Sequence, residues 1–283
     1  MEWFTETLHA NWQQRFRVKQ VLFHDKTAHQ DLIVFESEEW GKVLALDGVV
    51  QTTTGDEFAY HEMLVHVPVL SVARPRDVLI VGGGDGGSLR EAVKHDRVES
   101  VVQVEIDRGV IDFCERYLPE LSQGSFHHPK TDIVIGDGAA FVAETDRRFD
   151  VIIVDSTDPI GPGEVLFETD FYRSCRRCLA PGGVLTTMSG NPGVDAGVLT
   201  LSQARKRQAG FEDVGFYRTD VPTYVGGAMC LGWASDDVSL RDDSFSGLNG
   251  RSVPAGLRYY TPEVHKAAFA APAWLRDKTA ATS

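Results

Sequence analysis

Up to about Thr54, apolar and polar residues alternate with a period of two in the stretches RFRVKQVLF, QDLIVFES, KVLALDG and VVQTT. Side chains on a strand point alternately to opposite faces, so each stretch reads as a short strand bounded by charged or glycine-containing turns. From GDEFAYHEMLVHVPVL onward the texture changes to a helix and then to strands alternating with helices. The later strands, DVLIV, SVVQVEI, DIVIG, DVIIVD and GVLTTM, are continuous apolar runs. Such runs belong to parallel strands whose two faces are both covered. FEDVGFYRT and AMCLGWA are expected to close the sheet edge as an antiparallel hairpin, and the aromatic, Ala-rich tail YYTPEVHKAAFAAPAWLRD to pack against the same domain. The pattern therefore predicts a small β-rich N-terminal domain over residues 1–54, then an α/β domain with a doubly wound, mostly parallel sheet over residues 55–283.

The 283 residues are 42% hydrophobic and 24% charged, which is ordinary for a globular protein with a sizeable core. With 28 Lys and Arg against 41 Asp and Glu, the formal charge of −13 speaks against nucleic acid or an anionic membrane surface as partner. The N-terminus, MEWFTETLHANWQQRF, lacks a basic stretch followed by an apolar run, so no secretory signal is expected, and no apolar run is long enough to span a bilayer. Of the four cysteines, Cys114, Cys175, Cys178 and Cys230, only the CRRC pair has a suggestive spacing. It falls late in the predicted helix ETDFYRSCRRCLA, whereas a redox pair would open one. Reduced, structural thiols in a cytoplasmic protein are the expectation.

In a doubly wound sheet, ligands bind just beyond the carboxyl ends of the strands. The stretch DVLIVGGGDGGSLREAV, Asp77 to Val93, gives a strand, a glycine turn and a helix N-terminus, which would suit phosphate but for Asp85 in its middle. It also lacks the Lys and Ser or Thr of a P-loop. The next strands end in Glu105 and Asp107, then Asp137, then Asp155 and Asp158. A single acid there is commonly a cap or turn residue, and for Asp107 or Asp137 alone that reading stands. Acid at four successive strand ends points instead to a ligand. Glu105 lies 23 residues after Gly82, near the roughly 20-residue spacing at which an acid accepts ribose hydroxyls in nucleotide folds. With Asp137 beside Gly138 it outlines a nucleoside site, ribose on Glu105 and the adenine amino group on Asp137. Asp85, Asp155 and Asp158 would then surround a cationic tail or reaction partner, the last two in a loop stiffened by Pro159 and Pro162. Tyr60 and His61 are adjacent on a helix with an expected core stripe of Phe58, Met63, Leu64 and Val67. For them two readings stay open, ligand contacts or a half-buried Tyr beside a surface His.

Together these residues resemble the polyamine aminopropyltransferases, the spermidine synthase family. The resemblance runs along nearly the whole chain, through ETLH, HQDLIVFE, LDGVVQTT, DEFAYHEM, GGGDGG, VEID, DPIGPGE, PTYVGG and RYYTPEVHKAAFA. It implies a Rossmann-like, methyltransferase-type fold. It further implies transfer of an aminopropyl group from decarboxylated S-adenosylmethionine to a diamine, usually putrescine, giving spermidine and methylthioadenosine. A nucleoside with a sulfonium and an ammonium tail accounts for both the glycines and Asp85. By matching positions, Gln30, Glu105, Asp137, Gly138 and Pro162 would hold the methylthioadenosine part. Tyr60, His61, Asp85, the run Asp155, Ser156, Thr157 and Asp158, and Tyr224 would line the amine channel, with Asp155 as catalytic proton acceptor.

The donor is a co-substrate, and no metal or other cofactor is implied, because a sulfonium is already an excellent leaving group. The family also implies a homodimer or homotetramer built through the N-terminal strands. One position departs from it. Where the family commonly has Gln followed by Gly or Asn, this chain has Met188 and Ser189, which leaves the acceptor open between putrescine, cadaverine and a longer amine. Met188 either offers an apolar wall to the amine or turns into the core, with Ser189, Asn191 or a water supplying the polar contact. A methyltransferase would share the sheet but have to admit a methionine carboxylate near Asp85. From another class, a polyamine-binding protein would bind without turnover.

Overall fold

The computed structural model describes residues 2–26, 30–159, 161–194, 196–241 and 251–280, with Gly161, Pro162 and Ala280 described by their backbone alone. At the N-terminus, β1 (Trp3–Thr5) pairs antiparallel with β2 (Arg15–Arg17). A four-stranded antiparallel meander follows, β3 (Gln20–Lys26), β4 (Asp31–Ser37), β5 (Gly41–Leu46) and β6 (Val49–Thr53). The β5–β6 turn is the two-residue pair Asp47 and Gly48, with φ of 49° and 81°. Positive φ at both positions is the turn whose twist matches flanking strands, and Asp-Gly is its preferred sequence. Strands β4 and β5 are buried on both faces. Ile33, Phe35, Val43 and Ala45 pack on Phe4 and Phe16 of the first ribbon, while Leu32, Val34, Leu44 and Leu46 pack on Val110, Phe113 and Leu118 of the second unit.

The second unit holds a seven-stranded sheet. Its strands are β7 (Asp77–Gly82), β8 (Ser100–Glu105), β9 (Thr131–Ile135), β10 (Phe149–Asp155), β11 (Leu179–Met188), β12 (Asp213–Asp220) and β13 (Ala228–Ser235). In space they run β12-β13-β11-β10-β7-β8-β9. β7 to β11 are mutually parallel, and only β13 runs against its neighbours β11 and β12. This is the doubly wound, mostly parallel sheet of the Rossmann-like, methyltransferase type, edged by the expected hairpin. The strand order reverses between β7 and β10, which opens a crevice at their carboxyl ends.

Helix α1 (Glu57–Ser71) enters this sheet from the N-terminal unit. It was expected to bury one stripe that included Phe58. Instead Phe58 is its one residue that is not buried, lying under the Arg258 guanidinium at 3.7 Å, and Tyr60 and His61 are 5% and 2% exposed. The surface-His alternative is therefore corrected. α1 has no solvent face because β10, β11 and β12, helix α2 (Gly87–Val93) and the C-terminal tail all pack on it. The tail is clasped by Glu62, whose Oε1 accepts the Arg258 N–H and whose Oε2 accepts those of Tyr259 and Tyr260, all at 2.8 Å. Two helices follow, α8 (Pro262–Ala268) and α9 (Ala273–Ala280), numbered after α3 to α7 (Arg108–Tyr117, Pro119–Ser122, Gly138–Glu144, Thr169–Cys178 and Ala196–Gln208). All four cysteines are free and buried. Among the described residues, no helix is long and apolar enough to cross a membrane.

Hydrogen bonds to a charged acceptor contribute more than neutral ones, and Glu62 accepts three. Glu62→Ala should lower stability by roughly 2–4 kcal/mol, read as a shift of the urea midpoint. A shift under a quarter of that would show that the tail is held without the clasp.

Candidate active site

A cavity of about 540 Å³ lies at the crevice. Its floor is the carboxyl ends of β7 to β11, and its roof is the N-terminal unit, through Glu6, Leu8, His9, Gln30 and Val49 to Gln51. The glycine turn after β7 lets the floor assemble. Gly82 has φ +86°, a Cβ there would collide with the Asp155 carbonyl, and Gly83 N–H donates to that carbonyl at 2.8 Å. A Cβ at Gly87 would collide with the His61 ring. The glycines thus admit neighbouring functional groups as well as any ligand.

Asp155 ends β10, and its two oxygens are held by hydroxyls. Tyr60 donates to Oδ1 at 3.0 Å and Ser88 to Oδ2 at 2.7 Å. Burial pushes its carboxyl above the ordinary range, and Asp85 adds to this against the opposite pull of His61. Asp85 accepts the Gly87 N–H at 2.8 Å on Oδ1 and faces His61 Nε2 at 3.4 Å on Oδ2. Burial works to raise Asp85 too, yet the His61 charge and hydrogen bonds outweigh it and leave the carboxyl below its usual value. Two carboxylates on adjacent strands are thereby pushed in opposite directions, the pattern that separates a base from a charge anchor. Tyr224 donates its hydroxyl to Gln51 O at 2.7 Å and meets Tyr60 edge-on at 6.0 Å between centroids. Burial holds both phenols well above their ordinary value, so they remain neutral.

At the other end, Glu105 accepts the Asp107 N–H at 2.9 Å, and burial pushes its carboxyl up to about 7. Asp107 and Asp137 are indeed N-caps, of α3 and α5. Asp137 does both jobs at once, since Oδ1 takes the Ala139 N–H at 2.7 Å while the residue lines the cavity beside Gly138 and Glu105. Gln30, Ser156, Thr157 and Asp158 also line it, and the buried Ser156 Oγ has no partner among the described residues. The side chain of Pro162 lies outside the described residues.

Met188 lines the cavity with Met229, Val198 and Leu166, and its sulfur faces the Gly190 N–H at 3.2 Å. Ser189 bonds Thr187 and does not line the cavity, whereas Asn191, which engages the Val225 carbonyl and the Gly193 N–H, does line it. The sequence reading also missed Glu6. It is 3% exposed, accepts from Val50 N and Gln14 Nε2 at 3.0 Å, and burial pushes its carboxyl up, with Asp158 adding to the effect. Only the segment ETLH hinted at it. Ser88, in GGS at the start of α2, was missed as well. Ligand-type atoms of His61, Asp85 and Asp155 lie within 4.8 Å of one another. Burial works to lower the His61 pKa, but Asp85 and Glu57 hold it well above the ordinary value, and an imidazolium has no lone pair for a metal.

Residues 57–243 match the family described as spermine/spermidine synthase domain, and residues 2–54 that described as spermidine synthase tetramerisation domain. The polyamine aminopropyltransferase of Escherichia fergusonii is 51% identical, covering 97% of this chain and 96% of its own length, and that of Escherichia coli O1:K1 / APEC is 50% identical with the same coverage. A spermidine synthase solved with the transition-state analogue AdoDATO superposes with a TM-score of 0.93 at 36% identity, over 99% of this chain and 95% of that one. The Thermotoga maritima spermidine synthase gives 0.90 at 35%, over 98% and 94%. Sheet, crevice and relatives define a transferase enzyme. The chain belongs to the spermine/spermidine synthase family, the polyamine aminopropyltransferases.

A carboxyl held at about 7 favours the protonated fold, so stability from this source is present below the ordinary value of 4.5 and lost as pH rises through 7. Glu105→Gln should therefore stabilise the ligand-free protein at pH 8 by roughly 1–3 kcal/mol, and hardly at pH 5. Equal urea midpoints for variant and parent at pH 8 would contradict this.

Proposed function

We propose that the enzyme transfers the aminopropyl group of decarboxylated S-adenosylmethionine to putrescine, giving spermidine and methylthioadenosine, with Asp155 as proton acceptor. The observation that carries the reading is the buried Asp155 carboxylate, held by the neutral hydroxyls of Tyr60 and Ser88 and raised in basicity, in one cavity with Asp85 and Glu105. The nucleoside lies toward Glu105, Asp137, Gly138, Gln30 and Pro162. The amines lie toward Tyr60, His61, Asp85, Asp155 to Asp158 and Tyr224.

An ammonium has no lone pair, so the acceptor nitrogen must give a proton to Asp155 before its freed lone pair attacks the carbon next to sulfur. The C–S pair leaves with sulfur, which becomes a neutral thioether. No general acid, metal or resident cofactor enters. Most of the rate gain comes from aligning two cations that repel each other in water, in a crevice whose acids neutralise both.

Among the described residues that line the cavity there is no Lys or Arg. The His61 ring that also lines it is already flanked by Glu57 and Asp85, so a methionine carboxylate would meet Asp85 and Asp155 without a free cation to pair with, which disfavours the methyltransferase reading. Residues 2–54, which match the tetramerisation domain, support a homo-oligomer built through the N-terminal strands.

Asp155→Asn can still hydrogen-bond the amine but cannot take its proton, and should lose about 100- to 10,000-fold in kcat. Mass spectrometry of products from the decarboxylated donor and a panel of amines reads both reaction and acceptor, and a variant with more than half the parent rate would remove Asp155 from this role. The Met188 wall favours a longer methylene stem by about 0.8 kcal/mol per CH₂, or about fourfold. Met188→Gln should move the putrescine-to-cadaverine ratio of kcat/KM toward putrescine by that factor, and an unchanged ratio would make Met188 structural only.

A further inference from the structure

Behind the amine end of the cavity, His61 is wedged between two carboxylates. Its Nδ1 lies 2.6 Å from Glu57 Oε2, one helical turn back, and its Nε2 lies 3.4 Å from Asp85 Oδ2. A carboxylate accepts and cannot donate, while a neutral imidazole carries one N–H and one lone pair. A neutral ring would therefore aim its lone pair at one of the two acids. Only the imidazolium satisfies both.

Glu57 is not free to turn away. Arg90 grips it with both ends of its fork, Nη1 to Oε1 at 3.1 Å and Nη2 to Oε2 at 2.8 Å. Arg90 is in turn held by Glu91 at 2.6 Å and by the Leu121 carbonyl at 2.7 Å, and it is 5% exposed. No part of this clamp lines the cavity except His61 and Asp85.

We propose that Glu57, fixed by Arg90, is a positioning residue that holds His61 as a doubly donating imidazolium, so that Asp85 stays the ionised anchor and Asp155 the more basic carboxylate. This rests on the reading of Asp155 as proton acceptor. The charged and titratable groups facing His61 are Glu57 and Tyr60 from its own helix, Asp85 from the glycine turn, Arg90 from α2 through Glu57, and Asp155 from β10, with Tyr224 beyond Tyr60. Asp155 itself touches only hydroxyls, so the nearest cation to both acids is the ring that Glu57 controls.

Glu57→Gln keeps the shape and removes the charge. Its amide can donate to Nδ1, which lets a neutral ring keep its Nε2–H on Asp85. Asp85 and Asp155 then lose the adjacent positive charge and ionise at higher pH.

The test is ¹⁵N NMR of His61 in the ligand-free enzyme, assigned through His61→Gln, together with the pH profile of kcat/KM. In the parent both ring nitrogens should remain protonated at pH 8. In Glu57→Gln one should show a lone pair at that pH. The acidic limb of kcat/KM should move up, with a loss of at least tenfold at pH 6.5 that narrows by pH 9, and Glu57→Asp should restore much of the parent profile. A neutral His61 in the parent at pH 8 overturns the proposal without any variant. A loss in Glu57→Gln that is equal at every pH also overturns it, since that marks a purely structural residue. The NMR result does not depend on turnover, so an active Asp155→Asn would defeat the assignment of the base and leave the charge state of His61 standing.

Discussion

Glu105 is buried, and Asp85 and Asp155 half-buried, at the ends of neighbouring strands, where like charges repel more strongly than in water and ionisation is harder. A fold that merely tolerated this would replace at least one of them with an amide. Here each carboxylate has a separate remedy. Asp85 has a cation, Asp155 has two hydroxyls, and Glu105 has a backbone N–H and a pKa near neutrality. On the proposed function, the strain that remains is what two cationic substrates would relieve on entering.

The same constraint explains why the N-terminal unit and the sheet meet where they do. The N-terminal unit brings Glu6 and the Gln51 carbonyl over the end of the cavity lined by Tyr60 and Tyr224, where Tyr224 donates to Gln51. Gln14 donates to the Thr223 carbonyl, and Asp56 accepts from the backbone and hydroxyl of Thr223 at 2.8 and 2.9 Å. Roof and floor are therefore stitched together at the loop between β12 and β13, beside Tyr224. Closing the crevice this way excludes water from the acids and strengthens every charge inside.

Much of this could be read from the chain because parallel strands buried on both faces announce themselves as unbroken apolar runs, and acid directly after such a run is conspicuous. Asp85, Glu105, Asp137 and Asp155 were legible for that reason. Tyr60 and His61 stayed undecided because the pattern within one helix does not say what will cover it, and α1 turned out to be covered on every side. Glu6 left almost no trace, since its place depends on a ribbon docking across a distant sheet. For Asp107 and Asp137 the pattern set a cap against a ligand contact as alternatives, whereas Asp137 caps its helix and lines the cavity at once. Nor could the glycine turn disclose that its missing side chains make room for Asp155 and His61 as well as for a ligand.

The Glu62 clasp has a consequence for the order in which the molecule comes into being. Helix α1, largely apolar, is made well before what encloses it: its contacts with β12 span 154 and 160 residues, and those with the segment from Arg258 to Tyr260 span 196 to 198. Contacts so distant in sequence close slowly. Until then the helix that carries Tyr60 and His61 lacks its cover, and the half-made chain exposes a greasy rod that other nascent chains can adhere to. The cover of the helix is therefore complete only once Arg258–Tyr260 have been made and lock down on Glu62.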